Sequence, residues 1–148
     1  MPNRASTADR VHSAAIHVLR MVRQHDEEDG ITPARLSLLS VLVFSGPTTV
    51  KDLAAAEGIS SPSATSLINA LEAAGLARRA RSAGDKRTVE VSVTGAGRSM
   101  FRRARARRLA VLTSLLEEAS SADAELLARA ADILLALRPE HPRPGGAA

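Results

Sequence analysis

Cysteine is absent from the 148 residues, which removes disulfides, thiolate metal sites and thiol redox sensing as ways for this chain to hold its fold or to act. Tryptophan and tyrosine are absent too, and phenylalanine occurs only at positions 44 and 101. A core must therefore be assembled from Leu, Val, Ile and Ala, a palette that favours packed helices over a β-sandwich. Lysine is nearly missing, with only Lys51 and Lys86, so the formal charge of +4 and the pI near 10.9 rest on arginine. Arginine's planar fork suits phosphates and base edges, but genome composition produces the same bias, so bulk charge is weak support for a nucleic-acid partner. No apolar run is long enough to cross a bilayer and nothing resembles a signal peptide, so the expected location is the cytoplasm, with no membrane partner.

What is present suffices for one domain. The length and the 45% hydrophobic content support a single buried core and leave no room for a second, catalytic domain. Residues 6–24 carry Val11, Ala14, Ala15, Val18, Leu19 and Val22 at the spacing of one helical face. The acidic run Asp26-Glu27-Glu28-Asp29 follows; neighbouring carboxylates at a helix end point in different directions, so a solvated charge run is favoured over a metal site. Thr32-Pro33 opens a second helix, apolar on most faces and thus the central buried one, which Ser45-Gly46-Pro47 stops. Thr49-Val50-Lys51-Asp52 fits a capping box opening a short helix that Gly58 closes. Ser60-Ser61-Pro62-Ser63 offers two possible N-caps for the next helix, whose inward stripe is Ala64, Leu67, Ile68 and Leu71. With Gly75 as a Schellman glycine, Leu71 and Leu76 are the pair expected to touch.

There the period changes. Val89, Val91 and Val93 alternate with polar residues as a half-buried strand, Leu76 to Arg81 supplies the other arm of a hairpin, and residues 82–87 form its loop. Two short helices and then a hairpin make a winged helix-turn-helix. Helical spacing returns after Thr94, with Phe101, Ala104, Leu112, Leu115 and Leu116 in one segment and Leu126, Leu127, Ala130, Ile133, Leu134 and Leu137 in another, separated by Ser120-Ser121 and the cap residue Asp123. The fold class is therefore mainly α with a small β-hairpin wing. One domain is expected over 1–138, with the winged module at 32–93, terminal helices at 6–29 and 94–138, and a disordered Pro/Gly-rich tail at 139–148.

The run Leu53-Ala54, Gly58-Ile59-Ser60, Leu71-Glu72, Gly75-Leu76, Arg79, Asp85-Lys86-Arg87 and Val91-Ser92-Val93-Thr94 with Gly97 resembles, in order and spacing, the MarR family of bacterial regulators, and the likeness spans nearly the whole chain. The resemblance implies a homodimer whose terminal helices interleave and which carries two winged modules to successive grooves of palindromic DNA. It also implies that Arg87 reaches into the minor groove while Asp85 steadies it. The residues agree with a dimer, because the terminal apolar stripes exceed what one small module could cover. Where many members have arginine in the recognition helix this chain has Ser66, which moves weight from direct guanine readout to shape readout and wing contacts.

Ser61, Ser63, Thr65, Ser66 and Asn69 lie off the inward stripe and are expected to face the major groove; for Ser61 and Ser63 the competing role is simply to cap the helix. Asp85, Lys86 and Arg87 form the wing tip, against the plainer reading of a solvated turn. Between Arg78 and Arg108 eleven basic residues face two acids, a local net of +9. Gly95-Ala96-Gly97 imitates the start of a dinucleotide fingerprint, but Met100 stands where the third glycine belongs, so a helix entry is the better reading. His12, His17, His25 and His141 have no convergent partners in sequence; no metal, cofactor or catalytic group is expected. The chain thus reads as a double-stranded-DNA-binding regulator, a repressor by family habit, released by a small molecule lodged between the wing module and the terminal helices. The alternative is a winged-helix protein-interaction module that does not bind DNA. For a small hydrolase or transferase the chain lacks any convergent nucleophile and base.

Overall fold

The computed structural model describes residues 3–24 and 30–137. The acidic run at 26–29, His25, and the tail at 139–148 with His141 lie outside them. In order, the elements are α1 (Arg4–Arg23), α2 (Pro33–Ser45), α3 (Val50–Glu57), α4 (Ser61–Ala73), β1 (Ala77–Arg81), β2 (Val89–Val93), α5 (Gly95–Glu117) and α6 (Ser121–Ala136). The chain divides into two compact units, one ending at Val111 and the other beginning at Leu112.

Polar caps start the helices because the first backbone N–H groups have no partner within the helix. Asn3 accepts from the Ala5 N–H, Thr32 from Arg35, Thr49 from Asp52 and Ser120 from Asp123. At Thr49 and at Ser120 the hydroxyl also donates to the aspartate three residues on, at 2.7 Å each. Two helices end as Schellman turns. At α3 the Ile59 N–H reaches the Ala54 carbonyl at 3.0 Å, and at α4 the Leu76 N–H reaches the Leu71 carbonyl at 2.8 Å while Gly75 donates to Glu72. Only the left-handed glycines Gly58 and Gly75 permit these turns without strain.

The core of the first unit lies where α2, α3 and α4 meet, with α2 also against β2 and α4 against β1. Leu38, Leu39 and Leu42 of α2, Leu53 of α3, Ile68 and Leu71 of α4 and Val91 of β2 are all fully buried. Four leucines of α2 are buried, counting Leu36, which makes it the central helix that its all-round apolarity predicts. The hairpin pairs Ala77 with Val93, Arg79 with Val91 and Arg81 with Val89 in antiparallel register. Its strand pattern departs from simple alternation at one end: Val91 and Val93 are buried but Val89 is 45% exposed, since it lies toward the loop, beyond the reach of the helices. On the other side of β2, Thr48 forms an isolated bridge to Val91, with N–H to O distances of 3.0 and 2.9 Å. This ties the α2–α3 turn to the base of the wing.

In the second unit no residue of α6 is buried, and Leu126, Leu127, Ile133, Leu134 and Leu137 are exposed. In the first, α1 buries only Val22 and leaves Val11, Ile16, Val18 and Leu19 exposed. Among the described residues no helix is long and apolar enough to cross a membrane.

Candidate nucleic-acid interface

The helix α4 has two unlike faces. Ala64, Ile68 and Leu71 are buried against α2 and α3, with Leu67 packed partly against the same core. Ser61, Ser63, Ser66 and Asn69 are exposed and Thr65 is half-buried, so the five residues expected to meet a groove do lie off the core face. Of the two possible caps, Ser60 is the one used, accepting from the Ser63 N–H at 3.3 Å. Its hydroxyl also lies 2.9 Å from that of Ser63. Ser61 therefore occupies the first helical position with Pro62 behind it, and its hydroxyl is not consumed by capping. The Ser63 N–H is taken by Ser60 and Pro62 has none, so it is chiefly the exposed serine hydroxyls at this positive helix end that suit a phosphate oxygen.

The loop of the wing is braced chiefly through its backbone. Ser82 donates to the Thr88 carbonyl at 2.8 Å, and the Arg81 guanidinium reaches across to the Lys86 carbonyl at 2.6 Å. The Asp85 carboxylate accepts from the Arg87 N–H at 2.9 Å and from the Thr88 hydroxyl at 3.0 Å. Among the described residues Asp85 makes no ion pair with the Arg87 side chain. Asp85 thus fixes the main chain from which Arg87 projects and leaves the guanidinium exposed together with Lys86.

Sequence reasoning missed the clamp that joins α4 to the wing. Glu72, in the last turn of α4, accepts from the Arg79 N–H at 2.7 Å and pairs with the Arg79 guanidinium. A charge count beginning at Arg78 omits Glu72 and so overstates the local positive field, since Arg79 is neutralised from within the chain. Other arginines of the run are also held internally: Arg78 bonds the Ser92 hydroxyl, Arg102 that of Ser99, and Arg103 the Met100 sulfur. Lys86, Arg87, Arg98 and Arg105 are exposed.

An open cleft of about 380 Å³ lies between α1, α2 and α5, lined by Leu19, Arg23, Leu36, Phe44, Phe101, Arg105 and Arg108 among others. The two aromatic rings of the chain meet there edge to face, 5.5 Å between centroids. Phe101 is buried, whereas Phe44 is 75% exposed.

The sequence profile of the MarR family matches residues 29–88. A helix-turn-helix transcriptional regulator of Mycobacterium tuberculosis is 31% identical over 138 residues, covering 93% of this chain and 96% of the relative. A regulator of the same type from Mycobacterium leprae is 30% identical over the same length. Among solved structures, wild-type MarR of Escherichia coli superposes with a TM-score of 0.76 at 17% identity, over 86% of this chain and 96% of that one. A MarR family protein of Bacillus stearothermophilus superposes with a TM-score of 0.74 at 21% identity, over 90% and 96%.

Proposed function

The chain belongs to the MarR family of helix-turn-helix transcriptional regulators, and from that premise we propose that it represses transcription in the cytoplasm as a homodimer on a palindromic operator and is released by a small molecule. The observation that carries the DNA reading is the pairing of a polar outward face on α4, bearing Ser61, Ser63, Thr65, Ser66 and Asn69, with a braced loop presenting Lys86 and Arg87. Short hydroxyl and amide groups take phosphate or base-edge hydrogen bonds, and a projecting guanidinium gains most in a narrow minor groove. The exposed apolar stripes of α1 and α6 support self-association, which gives twofold symmetry to the bound DNA.

Selection of bound fragments from random duplex DNA tests this. The expected site is an imperfect palindrome with half-sites about 10 base pairs apart centre to centre. Affinity should fall steeply with added salt as counterions are released. An asymmetric site, or binding indifferent to salt, overturns the reading.

The cleft supports release by an effector. Its apolar wall of Leu19, Leu36 and the two rings, with Arg23 and Arg105 at hand, fits a small hydrophobic carboxylate. A ligand of that class should raise the melting temperature through linkage and weaken operator binding, and Arg105→Ala should diminish both responses together. Thermal shift and gel-shift titrations with a panel of aromatic carboxylates check it; stabilisation without any change in DNA affinity counts against release.

A further inference from the structure

The end of α4 and the start of α5 are fastened by one hydroxyl and one missing side chain. Thr94 caps α5: its carbonyl accepts from the Arg98 N–H at 2.9 Å and its hydroxyl oxygen accepts from the Gly97 N–H at 3.0 Å. The same hydroxyl donates to the Gly75 carbonyl at 2.7 Å, and the Thr94 N–H donates to the Leu76 carbonyl at 3.0 Å. Both carbonyls belong to the turn that closes α4, where Gly75 has φ +69°. Gly97 is buried against the same turn. A Cβ there would overlap the Leu76 carbonyl oxygen and sit 2.8 Å from the Val93 Cγ2.

An N-cap needs only an acceptor, and aspartate serves as well as threonine. Thr94 does more, because the donor half of its hydroxyl holds the last turn of the other helix. Swinging α4 away from α5 would break two hydrogen bonds and open a contact with no slack, so the two helices move as one body across this joint.

We infer that Thr94, seated against Gly97, is a positioning residue that sets the angle between α4 and α5 and thereby the half-site spacing the protein accepts. The spacing part rests on the homodimeric operator reading above; the joint itself lies within one chain. Successive base pairs are about 3.4 Å apart along the duplex. With a twofold axis between the copies, changing the preferred spacing by one base pair asks each α4 to shift by about half that distance and to turn by about half of the roughly 35° twist per step, a change in angle as well as in position.

Two measurements on Thr94→Asp and Thr94→Ser test this. Aspartate keeps the cap but cannot donate to Gly75; serine keeps both bonds. Operators with half-sites moved together or apart by one base pair are titrated first. The wild type and Thr94→Ser should discriminate the best spacing by a common factor, and Thr94→Asp should lose on the order of fivefold of that discrimination, one hydrogen bond's net contribution, or shift its optimum. Any uniform loss from the added charge cancels in the ratio. The absence of cysteine allows spin labels at Ser66→Cys and Arg102→Cys, both exposed, in protein diluted with unlabelled copies. The α4–α5 distance should broaden or shift in Thr94→Asp and remain as wild type in Thr94→Ser. Unchanged distances and an unchanged spacing profile in Thr94→Asp, with only affinity or stability lowered, overturn the joint. A wild type indifferent to spacing, with distances that still respond to Thr94→Asp, overturns the spacing role together with the twofold operator reading and leaves the joint standing.

Discussion

A chain ended at Ser120 is expected to aggregate or unfold, not to give a well-behaved monomer. The α6 helix has 16 residues and buries none of them, although Leu126, Leu127, Ile133, Leu134 and Leu137 recur at helical spacing. An isolated helix of that length is marginal in water, so its stability must come from packing its apolar stripe. The exposed face of α1 poses the same problem, and in the proposed homodimer a second copy of the chain would cover both. A milder change separates association from folding: Leu127→Glu replaces a residue that is 53% exposed within one chain, so the monomer fold has little to lose. As a central interface anchor it should cost about 2–4 kcal/mol of association, roughly 30- to 700-fold in Kd. Light scattering across a dilution series reads both variants. A soluble, cooperatively folded monomer from the truncated chain, together with an unchanged association constant for Leu127→Glu, would remove α6 from the interface.

The features legible in the sequence are those whose physical cause is local. A helix start must satisfy its own N–H groups, so Thr32 and Thr49 announce themselves as caps, and the Schellman pairing of Leu71 with Leu76 follows from Gly75 alone; at α6 the cap is Ser120, and Asp123, the cap residue expected from sequence, is instead its partner three residues on. The apolar stripe of α4 is likewise local, and fixing it fixes which of Ser61, Ser63, Thr65, Ser66 and Asn69 turn away from the core. What escaped is non-local. Nothing near Thr48 signals its bridge to Val91, 43 positions later in the chain. The exposure of Val89 depends on how far the helices extend under the hairpin, which alternation cannot report. Glu72 and Arg79 are both visible in the sequence, but their clamp exists only because the Gly75 turn brings β1 back past the end of α4. Thr94 is legible as the point where helical spacing returns; its double engagement needs both α4 and α5 in place. The winged module was thus legible from its caps and turns, and the fastenings that orient its parts were not.

Those fastenings decide the sign of the last expected result. Arg87→Ala should weaken operator binding by about 1–3 kcal/mol, the scale of one good groove contact, with folding nearly unchanged because the loop tip is exposed. Arg102→Ala, on α5, should cost less and equally for all DNA sequences, as a phosphate contact or a bystander would. Asp85 is the informative neighbour. If the wing were only a charged turn, deleting a carboxylate beside a polyanion would tighten binding, and Asp85→Ala and Asp85→Asn would do so alike. Its carboxylate, however, accepts from the Arg87 N–H and the Thr88 hydroxyl, holding the main chain that aims Arg87. Asp85→Ala loses both bonds and should weaken binding by about 0.5–1.5 kcal/mol despite the favourable charge change. Asparagine keeps an acceptor oxygen for the Arg87 N–H, and its amide NH2 can donate to the Thr88 hydroxyl oxygen where the carboxylate accepted from it, so Asp85→Asn should bind at least as well as the wild type. Opposite signs for Ala and Asn at one position therefore identify positioning, and titrations at fixed salt measure them. Equal tightening by both, with Arg87→Ala no worse than Arg102→Ala, would reduce the wing to a solvated turn and leave recognition to α4.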